Sequence, residues 1–233
     1  MSDHLDNYNK PCYKYAMEKQ LKFARVQRDW NQQQAAARLG VTQAYLSMLE
    51  SGRRSPAALA HKLMSVYDLP PTVLPLGHVR ESVTSDSLAR ELASLGYPGF
   101  AHLQTRRRRV NPAPFLLSAL AHRHLEARTA EGLPWVVVQF PGMSAHWLVR
   151  ESRARNLQNR LGFVVTLAKE AAGKQELQAL EQTLADSKLA KEDSFCRELN
   201  DAERRWLREN RSKQAEQWNL LSDMRPDTLR YVP

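Results

Sequence analysis

Between Gln43 and Met48 the chain reads Gln-Ala-Tyr-Leu-Ser-Met, a set of side chains suited to the edge of a base pair. The carboxamide of Gln43 can pair with N6 and N7 of adenine at once. Ala44 and Met48 are apolar and fit against a thymine methyl, while Tyr45 and Ser47 carry hydroxyls that reach a phosphate or a base edge. Arg53 and Arg54 follow a few residues later. Guanidinium groups there suit backbone phosphates, contacts that position a protein without reading sequence. Leu46 and Leu49 recur at helical spacing, so facing them inward turns Gln43, Ala44, Ser47 and Met48 towards solvent.

The elements that would hold these side chains are legible from their ends. Thr42 can cap a helix over 43–50, and Gly52 stops it. Before it, Asn31 starts a segment rich in Ala and Gln, residues 32–39, which Gly40 terminates. An earlier helix begins at about Tyr13, carries Leu21, Ala24 and Arg25 at helical spacing, and breaks at Asp29. A later one runs from Ala57 to Tyr67 and ends before Pro70 and Pro71.

The stretch from Arg25 to Pro56, RVQRDWNQQQAAARLGVTQAYLSMLESGRRSP, resembles the Xre family, the helix-turn-helix class of phage repressors and Cro. The resemblance spans about Tyr13 to Leu76. Gln32, Ala36, Gly40, Val41, Thr42, Ser47, Glu50, Gly52, Arg54 and Pro56 sit where the family has them. Ala36 is small where two helices cross, Gly40 takes the φ > 0 turn and Val41 fills the core between them. The resemblance implies a lambda-repressor-like domain of five helices with 43–50 laid in the major groove. It makes Gln43 the base reader, Gln32 a phosphate contact at a helix N-terminus, and Arg25 with Glu50 an internal salt bridge. Three positions depart from the pattern. Asn31 stands for the usual Thr or Ser cap, Asp29 for a Gly, and Ala35 for a larger apolar residue. Asn caps well, and Asp tolerates the left-handed region better than most residues.

The whole chain fits this picture. It has 233 residues, 34 Lys and Arg against 25 Asp and Glu, and a formal net charge of +9, which favours an acidic partner. Cys12 and Cys196 are far apart and form neither a disulfide framework nor a metal spacing. The N-terminus is polar and acidic without the look of a signal peptide, and no apolar run approaches the about 20 residues of a membrane span. The expected setting is cytoplasmic, with no membrane partner and no cofactor.

The expected fold class is all-α: a helix-turn-helix domain over 13–76 after a flexible tail over 1–12, then a linker over 77–85 and a helical dimerisation or partner-binding domain over 86–233. In that second domain Asn111 and Pro112 look like a cap and first-turn proline for a helix reaching about Thr129. Leu133 to Phe140 is read as helix despite Pro134. Ser144 to Ala172 reads as one helix or two, with Gly162 as the kink, and no alternating strand stands out. Arg106, Arg107, Arg108 and Arg109 offer a second phosphate contact, with a solvated loop as the plainer alternative. His122, His124 and Glu126 stand two apart and share no helix face, so no metal is expected. Trp135, Trp147, Trp206, Trp218 and Phe140 are expected in the core, as are Leu177, Leu180 and Leu184, which could otherwise be a coiled-coil seam.

No nucleotide loop, metalloprotease motif, nucleophile elbow or carboxylate pair is present, so an enzyme is not expected. Nor does this half resemble the β-rich self-cleaving domain of some repressors. Besides an enzyme with a DNA-targeting domain, for which the sequence supplies no active site, two functions stay open. One is a homodimeric transcriptional regulator, a repressor of its own or another promoter on double-stranded DNA. The other is an antitoxin whose second domain neutralises a partner toxin.

Overall fold

The computed structural model describes residues 20–103 and 109–232. The chain divides into two compact units between Pro75 and Leu76. The basic run falls mostly outside the described residues: Arg106, Arg107 and Arg108 lie beyond them, and Arg109 is exposed.

In the first unit, α1 occupies residues 20–26, α2 runs Gln32–Leu39 and α3 runs Gln43–Glu50. A short 3-10 turn leads into α4, Ala60–Val66, and a second turn at Pro71–Val73 closes the unit where a fifth helix was expected. Each start and stop has a local cause. Asn31 accepts from the Gln34 N–H at 2.8 Å, and the Gln34 side chain accepts from the Asn31 N–H at 3.0 Å, a complete capping box. Thr42 caps α3 by accepting from the Tyr45 N–H at 3.2 Å. Gly40 ends α2 with φ +60°, and Asp29 ends the first helical segment with φ +53°, so Asp does take the left-handed conformation at its position. Leu21, Ala35, Ala36, Leu39, Leu46, Leu49, Leu63 and Tyr67 are buried together as the core of this unit.

The second unit is helical around one buried rod. α5 is Ser85–Ser94, α6 Pro112–Ala121, α7 Ala127–Gln139, α8 Ala145–Ala154 and α9 Gln158–Ala172. α10 is Gln178–Ala185, α11 Asp201–Asn210 and α12 Lys213–Gln217. α9 packs against α6, α7, α8, α10 and α12, as its sequence demands: Leu161, Phe163, Val164, Val165, Leu167 and Ala168 are fully buried, more apolar surface than one stripe. Pro134 sits inside α7, unable to donate to Ala130, and the helix continues through it.

The structure corrects several sequence expectations. The helix from Pro112 does not reach Thr129; it ends at Ala121, and α7 starts afresh after a turn fastened by the Leu125 N–H donating to the Cys196 carbonyl at 2.9 Å. The break between α8 and α9 falls at Arg155–Leu157, with Asn156 left-handed at φ +56°, while Gly162 lies inside α9. Two-residue strands β1, Asp193–Ser194, and β2, Leu220–Leu221, pair in parallel. Trp135, Trp147, Trp218 and Phe140 are buried, but Trp206 is 54% exposed. Leu184 is buried and Leu177 and Leu180 pack on the same core. Residues 77–85, expected as a linker, include Val79 buried in the second core and Arg80, whose guanidinium pairs with Glu91. Among the described residues no helix is long and apolar enough to cross a membrane.

Candidate nucleic-acid interface

The outward face of α3 follows from its inward one. Leu46 and Leu49 are fully buried against α2, and the 3.6-residue period then exposes Gln43, Ala44 and Ser47. Tyr45 and Met48 are half-buried at the margin of that face. Thr42 is exposed at the N-terminus of the helix, where it serves as the cap. Gly52, with φ +71°, turns the chain after α3, and the Arg54 N–H donates to the Met48 carbonyl at 3.1 Å. That turn carries Arg53 and Arg54 outward, and the Arg54 guanidinium lies 5.3 Å from the centre of the Tyr45 ring. Gln43, Ala44, Tyr45, Ser47, Met48 and the two arginines thus come from one helix and the turn that ends it.

The hinge of the site is Glu50. Arg25 donates to it from Nε at 2.6 Å and from Nη2 at 3.1 Å, so the expected salt bridge is present and bidentate. Its side chains are only 12% and 5% exposed, which places the pair between α1 and the end of α3, away from water. The hydrogen bond that Arg25 donates to Glu50 is the main reason its guanidinium is pushed above its usual range. Nη1 of Arg25 also donates to the Trp30 carbonyl at 2.9 Å.

Gln32 stands apart from its sequence-based assignment. It lies in the first turn of α2, half-buried, and its Nε2 donates to Glu50 at 3.1 Å. The side chain expected to meet a phosphate is thereby held by the same carboxylate that fixes Arg25. Gln33, which sequence reasoning passed over, is exposed in the same turn. With the Asn31 side chain spent on Gln34, the amides of Gln32 and Gln33 are the first-turn donors left for an anion. Its signal was its place one residue on from Gln32 and two after the capping Asn31. Two arginines outside the assigned set do not serve the site. Arg28 donates to the Tyr67 carbonyl at 2.6 Å, and Arg38 stacks on Trp30 at 4.3 Å, so both are spent on the fold of the unit.

Burial pushes the Tyr67 hydroxyl up to about 12, and no hydrogen-bond partner meets it among the described residues. The remaining candidates do not join this site. His122 accepts from the His124 N–H at 3.1 Å, His124 lies 3.5 Å from Glu198, and Glu126 accepts from the Thr129 hydroxyl. Among the described residues no group of three metal-ligating side chains converges.

Residues 21–74 match the family described as Helix-turn-helix, which bears out the resemblance drawn above over that segment. No curated protein and no solved structure matches the chain.

Proposed function

We propose, for a chain whose residues 21–74 form a helix-turn-helix domain of the DNA-binding regulator class, that it reads a specific duplex sequence with α3 and represses transcription there as a homodimer. The observation that carries this reading is the α3 face. It presents a base-reading amide and apolar contacts on one capped helix and two exposed arginines on the turn that follows it, braced from behind by the Arg25–Glu50 pair. Gln43 discriminates one base, Ala44 and Met48 meet thymine methyls, and Tyr45, Ser47, Arg53 and Arg54 take backbone or base edges. Gln32 contributes its backbone amide at the N-terminus of α2, its side chain being held by Glu50, and Thr42 contributes at the N-terminus of α3. Domains of this architecture bind half-sites about one helical turn apart, so two copies act together.

The alternative is an antitoxin that shares this DNA chemistry and neutralises a toxin with its second unit. Trp206 favours a protein contact there: it is 54% exposed on α11, and tryptophan is enriched at binding hot spots.

The test compares two variants. Gln43→Ala relaxes the base preference at one position of the site and costs about 1–3 kcal/mol on the preferred sequence only. Arg54→Ala weakens every sequence alike and flattens the salt dependence by about one. Equal losses for both variants on every sequence contradict the assigned roles.

A further inference from the structure

The second unit contains a cleft of about 1160 Å³. The turn after α6 supplies Ala121 to His124 on one side, and residues 189–194 supply another. The α8–α9 turn with Arg160, residues 197 and 198, Glu81 and Arg204 complete the walls.

Buried polar groups hold these walls without using the charges that face the opening. Arg160, whose side chain is 11% exposed, donates to the Leu120 carbonyl at 2.8 Å and to Asp193 at 2.9 Å, tying the end of α6 to β1. Asn159, 3% exposed, grips the backbone of Leu189 in both directions, donating to its carbonyl at 2.9 Å and accepting its N–H at 2.8 Å. The cleft is therefore a formed feature of the unit.

Its lining holds more cations than acids, although Glu151 and Glu203, just outside it, pair with Arg155 and Arg197. Six arginine and lysine side chains line it against three acidic ones. Asp193 is spent on Arg160, Glu198 faces His124, and Glu81 lies 3.9 Å from Arg155. Arg123 and Lys191 remain, exposed on different wall segments and tied to no partner among the described residues. The N-terminus of α9 adds to this field: its cap residue, Leu157, lines the cleft, and no side chain caps the helix. The volume lies near the upper end of small-molecule sites, about 300–1,000 Å³. Its aromatic lining consists of the imidazoles of His122 and His124.

We propose that this cleft binds a small multivalent anion bearing phosphate or carboxylate groups, clamped between Arg123 and Lys191. The proposal stands independently of the DNA-binding reading.

The test is calorimetric titration of the full chain with pyrophosphate and, separately, with citrate, which distinguishes the two anion chemistries. Saturable one-to-one binding of either is expected. The double variant Arg123→Ser/Lys191→Ser weakens it by about a hundredfold, roughly tenfold for each charged hydrogen bond removed. Both side chains are exposed and untied, so the variant melts as the parent does. Arg53→Ser/Arg54→Ser, on the other unit, leaves anion binding unchanged. Absence of saturable binding overturns the proposal, and so does an equal loss in the Arg53/Arg54 variant. Binding of oligonucleotides but of neither small anion, if it depends on Arg123 and Lys191, also overturns it and makes the cleft a nucleic-acid groove.

Discussion

Replacing Glu50 by Gln preserves the shape of the side chain and removes its charge. Arg25 then remains 88% covered, with its Nη1 bond to Trp30 but no carboxylate within its fork. Removing one partner of a buried ion pair costs about 3–5 kcal/mol, because the survivor stays desolvated and unpaired. The lower end applies here, since Arg25 keeps a carbonyl acceptor and 12% exposure. A unit of this size has only about 5 kcal/mol to lose, so a loss of about 3 kcal/mol raises its open population by about two orders of magnitude. Amide hydrogen exchange read peptide by peptide separates the two units. Protection falls across residues 20–74 and stays unchanged in the second unit. Affinity for duplex DNA falls as well, even though the substitution makes the protein more positive and simple attraction to phosphate would strengthen. A change below about 1 kcal/mol, the range of surface pairs, or a rise in affinity for the preferred site, refutes the bracing role given to Glu50.

Gly162→Ala places a Cβ 2.3 Å from the Trp218 ring, whose Nε1 is anchored to Thr166 at 2.8 Å; the second unit loses about 3 kcal/mol in a denaturant titration, as overpacked cores do. Burial pushes the hydroxyls of Tyr67 and Tyr97 up to about 12 from 10.0, so the stability they contribute is complete below pH 10 and is lost as pH rises towards 12. An absorbance titration therefore shows two late tyrosines, and their ionisation coincides with loss of the fold. Burial raises the Glu181 carboxyl, but hydrogen bonds from Lys169, Thr166 and Gln217 outweigh it and hold the group below its ordinary 4.5. That contribution is present above pH 4.5 and disappears as pH falls below it, so Glu181→Gln makes the second unit less stable at pH 7 and flattens its acid melting curve.

The first unit was largely legible because its signals are local. A capping Asn or Thr and a terminating Gly act within four residues of themselves, so the ends of α2 and α3 could be read from Asn31, Gly40 and Thr42 alone. The outward face of α3 followed from the spacing of two leucines. The orientation of Gln32 did not, because Glu50 is 18 residues away and competes for the same amide. In the second unit the missing information is long-range. Gly162 looks like a kink from its neighbours, yet its role is to leave room for a tryptophan 56 positions later, and α9 stays straight in register around it. The residues from His122 to Glu126 form helix as readily as those around them; what stops α6 is contact with Cys196, far along the chain. Trp206 reads as core by residue type alone, but it lies on the solvent side of α11, whose inward residue is Leu207. The charged cleft could not be seen in sequence at all, because its walls come from five separated segments.

The most direct test of the central claim is selection from a pool of random duplexes with the purified full chain at near-physiological salt. The account predicts enrichment of a two-fold symmetric site with half-sites about 10 bp apart, lost in the double variant Gln43→Ala/Arg54→Ala. Salt-sensitive binding to every duplex without enrichment would contradict it, and would leave the α3 face as a basic surface that holds the backbone and reads nothing.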